Sequence, residues 1–116
     1  MLSFSLTSCF QNNRNCNDFK TGSYSSEVTI NDKVYSSNFI RTEKLQIETY
    51  NGKIDSSEVR WINDCEAIFK TIHPKNRIEK KDIHLKILTT TDSSYTYEYS
   101  YVGETKKQKG IAIKTN

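Results

Sequence analysis

The stretch SYTYEYSY at residues 94–101 places a tyrosine at every second position. Successive side chains of a β-strand point to opposite faces, so this spacing predicts a strand with its tyrosines on one face. These residues are Tyr95, Tyr97, Tyr99 and Tyr101. Because the opposite face is mostly polar, the pattern favours a core stripe whose hydroxyls reach the rim or water. The alternative is a ligand-cavity wall or a partner surface, since a tyrosine ring combines an apolar face with a polar tip.

Short runs rich in β-branched and aromatic residues cover the rest of the chain, separated by turn signals such as Asn31-Asp32 and Asn51-Gly52. This pattern is typical of an all-β meander, sandwich or barrel. We predict eight strands, at residues 22–30, 33–41, 44–50, 54–62, 65–72, 82–90, 94–102 and 108–115. The expected fold is an antiparallel eight-stranded meander closed as a lipocalin-like barrel. A strongly curved open sheet or a two-layer sandwich is the alternative, and a barrel of this size can hold one small ligand.

Alternation within single strands assigns residues to faces. In the stretch LQIETY at residues 45–50, Leu45 and Ile47 share one face and the residues between them lie on the other. Trp61 shares a face with Val59, which predicts a core position for this tryptophan. Residues 73–81 form the one long connection, where the charge of the segment predicts a solvated surface loop rather than a helical turn.

Bulk properties narrow the class of protein. The chain has 116 residues, 34% hydrophobic residues, 27% charged residues and a net charge of +3. This length predicts one domain, and the low apolar fraction suits a sheet with one wet face. The basic residues are too few and too dispersed for a nucleic-acid binder. The sequence contains no apolar run of the length that a transmembrane helix requires.

The run Leu6-Thr7-Ser8-Cys9 matches a bacterial lipobox, which predicts lipid attachment at Cys9 and a membrane anchor. Residues 1–15 would then be a residual signal, lipobox and tether, and residues 16–116 a single β domain. Only eight residues precede the cysteine, and none of them is Lys or Arg. A signal peptide needs a basic region followed by an apolar region. We therefore expect a trimmed or misplaced start. The alternative is an ordinary cysteine in a frayed N-terminus.

Three cysteines are an odd number, and an exported protein with an odd cysteine requires an explanation. Lipidation of Cys9 would leave Cys16 and Cys65 as a disulfide pair, which would stabilise a domain with a thin core. Two free thiols in a cytosolic protein are the alternative. A metal site is not expected, because the chain has no CxxC motif and neither histidine stands at ligand spacing from a cysteine.

Catalytic patterns are weak. His73 and His84 have no nucleophile or orienting residue that the sequence identifies as a partner, and no nucleotide-binding motif occurs. We expect no enzyme activity and no cofactor. The basic run at residues 104–109 could contact anionic headgroups, but its pattern favours a charged hairpin tip.

Four stretches resemble a family of small lipoproteins from flavobacteria and their relatives. They are CNDFKTG at residues 16–22, RTEKLQIE at residues 41–48, VRWINDC at residues 59–65 and KKQKG at residues 106–110. The resemblance implies a lipid-anchored protein of the bacterial cell envelope that faces the periplasm, and it supplies no catalytic residues. Some relatives carry a topoisomerase label, which the short chain and the lipobox argue against here.

These observations predict a non-enzymatic lipoprotein of the periplasm or outer membrane. Its partner would be a small apolar ligand held near Trp61, Tyr97 and Tyr99, or an envelope protein bound at a sheet edge or on the tyrosine face. An interaction protein with a fully packed core is the alternative. An enzyme and a nucleic-acid binder rank last.

Overall fold

A computed structural model describes residues 14–116 and shows a short 3-10 helix followed by eight strands. The helix, η1, spans Cys16–Phe19. The strands are β1 (Gly22–Ile30), β2 (Lys33–Arg41), β3 (Leu45–Tyr50), β4 (Lys53–Asn63), β5 (Glu66–Thr71), β6 (Ile83–Thr90), β7 (Ser94–Tyr101) and β8 (Gln108–Lys114). Every predicted strand is present, and each predicted boundary lies within one residue of the observed one.

The eight strands form a closed barrel in which each strand pairs with the next in the chain and β8 pairs with β1. All pairs are antiparallel, and Tyr24 opposite Lys114 closes the sheet. The predicted all-β class and the closed antiparallel meander are confirmed. The alternatives, an open sheet and a two-layer sandwich, are wrong.

Two tight turns fix the hairpins β1–β2 and β3–β4. Asn31 and Asp32 have φ values of 51° and 66°, and Asn51 and Gly52 have φ values of 49° and 77°. Positive φ at both central residues is the geometry of the turns that match the twist of paired strands, and asparagine, aspartate and glycine tolerate it best. The local sequence therefore sets the register of both hairpins.

The helix η1 closes one end of the barrel, which we call the base. Cys16 and Phe19 are 2% and 1% exposed, so this helix is part of the core. A disulfide joins Cys16 to Cys65 in the β4–β5 connection, with 5.3 Å between the Cα atoms. The predicted disulfide is confirmed, whereas η1 itself was not predicted.

The core is aromatic and lies mostly at the base. Tyr24 stacks on Phe39 with 4.9 Å between ring centroids, and Phe19 lies 5.3 Å from Tyr95. Rings bury large apolar areas, and such tilted and offset contacts add to the burial term. Helix η1 thereby covers the rings that would otherwise open to solvent at this end.

The predicted alternation of β3 is present, but its polar face is the one turned inward. Leu45 and Ile47 are 39% and 43% exposed, while Gln46 and Glu48 are half-buried and line the interior. Ile47 pairs with Ile40 of β2 across the outer surface. Polarity alone does not identify the inner face here because the interior beside β3 is itself polar.

The predicted lipid attachment site at Cys9 lies outside the described residues. Among residues 14–116, no helix has the length and apolar character needed to cross a membrane. The predicted surface loop at residues 73–81 is present as turns and bends, and all of its residues except the half-buried Glu79 are exposed.

Candidate ligand-binding site

The tyrosines of β7 face the barrel interior. Tyr95 and Tyr97 are 1% and 7% exposed, and Tyr99 and Tyr101 are half-buried. Tyr95, Tyr97 and Tyr99 line one central cavity. Tyr101 lies at the mouth of a separate depression beside the β7–β8 loop, with the Lys81 Nζ 5.2 Å from its ring centroid. These rings thus wall the interior, and three of the four surround the same space.

The central cavity has a volume of about 190 Å³. Apolar side chains from opposite walls, such as Phe69 and Leu85, enclose part of it. Its polar lining comes from Ser26, Ser37, Gln46, Glu48 and Ser57. We call the barrel half that extends from this cavity away from η1 the upper half. A mostly apolar pocket with a few polar groups is the usual form of a small-molecule site.

Arg41 forms the floor of this cavity. It is 2% exposed, and its guanidinium donates to three neutral acceptors at 2.9 Å each. Nε binds the Gln46 side-chain oxygen, Nη1 binds the Phe19 carbonyl and Nη2 binds the Tyr95 hydroxyl. The arginine therefore ties η1 to two walls of the barrel.

Aromatic rings surround the same guanidinium. Its Cζ lies 4.9–5.9 Å from five ring centroids, those of Tyr24, Phe39, Trp61, Phe69 and Tyr95. Ring faces attract a cation through their quadrupole. Within residues 14–116, however, no carboxylate lies within the 4.0 Å ion-pair distance of Arg41. The positive charge is buried among neutral groups.

Trp61 packs against the core, as predicted, but it does not line the cavity. Lys20 lies over its ring at 5.2 Å from the centroid. Its buried Nε1 donor has no hydrogen-bond partner among the described residues. The indole centroid lies 5.7 Å from the Arg41 Cζ, so Trp61 belongs to the rings around the buried guanidinium.

Burial keeps the cavity phenols in their neutral form. Desolvation is the main cause that raises the pKa values of Tyr95, Tyr97 and Tyr99, although Arg41 lowers that of Tyr95. The Tyr97 and Ser26 hydroxyls share a hydrogen bond of 2.6 Å. At neutral pH these phenols are protonated and can donate to an acceptor in the cavity.

Glu48 places a carboxylate on the cavity wall away from the floor. The Ser37 hydroxyl donates to its Oε2 at 2.7 Å. Glu48 lies opposite Phe39, one pleat further from the base than the pair of Arg41 and Gln46. A cation and an anion thus line the same cavity without forming a direct ion pair.

Comparisons with protein-family models, curated proteins and solved structures find no match to this chain.

His84 has a partner that the sequence did not reveal. Its Nε2 lies 2.8 Å from Glu66 Oε1 on the outer surface, so this histidine has a carboxylate partner that the sequence alone did not identify. The two residues lie on paired strands β5 and β6, two positions apart along the register. A hydrogen bond from Asn63 is the largest cause that lowers the Glu66 pKa, and His84 adds to it.

This pair does not form a recognisable nucleophile site. Ser100 lies opposite His84 on β7, but no hydrogen bond between them occurs among residues 14–116. No group of three or more potential metal ligands from His, Cys, Asp and Glu occurs in the described part of the chain.

The basic run after β7 takes part in surface ion pairs. Lys107 lies 3.4 Å from Glu98, and Lys81 lies 3.1 Å from Glu104 in the same region. Contact of this loop with anionic headgroups stays a prediction.

Sequence reasoning missed Arg41 as a site residue. A signal was present, because positions 39 and 41 of β2 alternate together and place Arg41 on the same face as Phe39. An arginine on an aromatic inner face would have indicated a buried cation.

Proposed function

We propose that this protein is a non-enzymatic lipoprotein of the bacterial envelope that binds a small molecule inside its barrel. The observation that carries the proposal is the cavity of about 190 Å³ enclosed by β7 tyrosines and opposed apolar walls. A fully packed barrel would offer no such space, and a surface-acting protein would not need it.

The size of the cavity limits the ligand. An apolar cavity of about 150 Å³ holds a benzene molecule. A cavity of about 190 Å³ suits a single ring with one substituent, or a short branched chain. Long acyl chains and polymeric ligands cannot lie fully inside it.

The envelope location is supported by two features of the chain. The disulfide between Cys16 and Cys65 is of the kind that forms and persists in exported proteins. The lipobox at Leu6-Thr7-Ser8-Cys9 offers a lipid attachment site a few residues before this disulfide. An anchor at Cys9 would hold the barrel close to a membrane with its base and η1 nearest to the tether.

An interaction with an envelope protein is a second candidate. Ile40, Ile47 and Ile54 are 55%, 43% and 66% exposed on neighbouring strands of the outer surface. Exposed apolar strips of this kind mark interaction surfaces. A protein bound at these isoleucines would not occupy the cavity. Mutations on the outer surface and mutations in the cavity can therefore distinguish protein binding from ligand binding.

The test of ligand binding is an NMR titration of the uniformly labelled chain with toluene. We expect saturable amide shifts at cavity residues such as Leu85 and Tyr97. Ser57→Leu should abolish these shifts because the new side chain fills the cavity, whereas Ser56→Leu on the outer face of the same strand should not. Shifts confined to the outer surface, or equal in both variants, would contradict the proposal.

The anchor is tested separately by fractionation of the native host. The Cys9→Ser variant, expressed with its natural upstream sequence, should move from the membrane fraction to the soluble fraction. Unchanged membrane association would contradict the lipid anchor and leave ligand binding unaffected.

A further inference from the structure

We infer that the cavity takes a small organic monoanion, an aromatic or branched-chain carboxylate, whose carboxylate is bound by Arg41 and Tyr95. This inference rests on the proposed ligand-binding function and specifies the ligand's chemical class. Arg41, the buried cation at the cavity floor, is the group that would bind such an anion.

Arg41 has hydrogen-bonding capacity left over. A guanidinium carries five N–H donors. Three of its hydrogen bonds go to Gln46, Phe19 and Tyr95, so one N–H on each terminal nitrogen stays available. The residue also lines the cavity, and a planar pair of donors matches the two oxygens of a carboxylate.

The charge of Arg41 lacks a compensating anion. Buried charges are normally paired, because removing an ion from water is costly when no opposite charge replaces the solvent. Here the three acceptors are an amide, a carbonyl and a hydroxyl, and the surrounding rings carry no net charge. A carboxylate on the floor of the cavity would supply the missing negative charge.

Tyr95 offers a second donor beside the first. Its hydroxyl oxygen accepts from Arg41 Nη2 at 2.9 Å, so its own proton is free to be donated elsewhere. Arginine has no acceptor atom, which excludes Arg41 as the recipient of that proton. The phenol also lines the cavity, and burial keeps it protonated. An anion at the floor can therefore accept from both residues.

Glu48 sets the orientation of such a ligand. Its carboxylate lies further from the base on the same cavity wall and would repel a second negative charge. A monoanion can place its charge at Arg41 and its apolar body against Phe69 and Leu85. It then carries no second negative charge near Glu48. A dianion, or a ligand that carries charges of the same sign at both ends, would not satisfy both Arg41 and Glu48.

Matched ligands test the inference without altering Arg41, which also holds η1 in place. Benzoate and benzamide have nearly the same shape and differ in charge. We expect isothermal titration calorimetry of the full chain at pH 7 to show that benzoate binds at least about tenfold more tightly, because charged hydrogen bonds contribute more than neutral ones. Equal binding, or tighter binding of benzamide, would overturn the anion inference and leave the ligand-binding function intact.

Absence of saturable binding by benzoate, benzamide and toluene would overturn both proposals together.

A matched pair of variants tests whether Tyr95 recognises the anion or only supports the fold. Tyr95→Phe should lower the ratio of benzoate to benzamide affinity several-fold, because it removes one donor to the anion. Tyr101→Phe removes a phenol hydroxyl from the same strand, at a residue that does not line the central cavity, and should leave the ratio unchanged. An unchanged ratio in Tyr95→Phe would contradict the assigned role of this residue.

Discussion

The base and the upper half of the barrel are built from the same strands but packed in opposite ways. On β7, Tyr95 at the base is 1% exposed and lies among other rings, whereas Tyr99 in the upper half is only half-buried and borders the cavity. On β1, Tyr24 packs on Phe39, whereas Ser26 two residues later lines the cavity. The difference comes from η1, which covers one end and has no counterpart among the described residues at the other.

This contrast indicates that the base stabilises the fold and that the upper half leaves space for a ligand. Close packing of large side chains stabilises a fold, and any loss of volume there is expensive. Small polar side chains leave space and contribute less to the core. We therefore expect changes at the base to affect stability most, and changes in the upper half to affect ligand binding most.

Loss of the disulfide should have the largest effect on stability. The bond closes a loop with a sequence separation of 49 residues. In the chain-entropy model this constraint contributes about 4 kcal/mol. The Cys16→Ser, Cys65→Ser double variant should show this loss in urea unfolding, and reduction of the native protein should reproduce it. A loss below about 1 kcal/mol would mean that packing of Phe19 holds η1 without the covalent bond.

Gly110→Ala should disturb the boundary between the two halves. A Cβ at this position would lie 2.6 Å from the Tyr97 hydroxyl and 2.8 Å from the Glu27 carbonyl oxygen. Because part of this contact is backbone, we expect a loss of about 1–3 kcal/mol. The displaced Tyr97 should also alter toluene binding. Lys109→Ala, an exposed change on the same strand, is the control, and equal effects of the two variants would contradict close packing here.

Alkaline pH should destabilise the native chain more through Tyr24 at the base than through Tyr99 in the upper half. Burial raises the pKa of Tyr24 to about 12, against the ordinary value of 10.0, although Arg41 opposes the shift. The unfolded chain therefore loses this proton first, and stability falls as the pH rises from about 10 towards 12. The urea midpoint should fall between pH 9 and pH 11, and it should fall by a smaller amount in Tyr24→Phe than in the native chain. Tyr99→Phe should diminish this drop in the urea midpoint less than Tyr24→Phe does. A larger effect of Tyr99→Phe would contradict the contrast between the base and the upper half.

The smallest stability effect is expected from Ser57→Ala in the upper half. Ser57 is half-buried and lines the cavity. Changes away from tight packing usually stay within about 0.5 kcal/mol. The unfolding midpoint should therefore stay near the native value, while the calorimetric affinity for benzoate changes. A large loss of stability would show that the upper half is also a packed core.

The strands were predictable because local signals set them. Asn51-Gly52 fixes a hairpin, and the alternation of β7 places its tyrosines on one face. The pairing of Cys16 with Cys65 was predicted by assigning Cys9 to a lipid and pairing the two cysteines that remain. These features depend on neighbours in the chain or on simple counting.

The floor of the cavity was not predictable in the same way. Arg41 meets Phe19 and Tyr95, which lie 22 and 54 residues away in the chain. The inward turn of Glu48 depends on which face of β3 the closed barrel needs, not on polarity. His84 and Glu66 meet only because β5 and β6 pair with a particular register. Long-range pairing decided each of these cases.

Closure of the sheet between β1 and β8 also has a consequence for how the chain folds. The pairing of Tyr24 with Lys114 joins strands from opposite ends of the described chain, so its contact order is high and its formation is slow. Until β8 arrives, β1 and β7 each present an unpaired edge that can pair with a strand of another molecule. A chain delayed before this last step is therefore exposed to aggregation along its strands, even when the disulfide has already formed at the base.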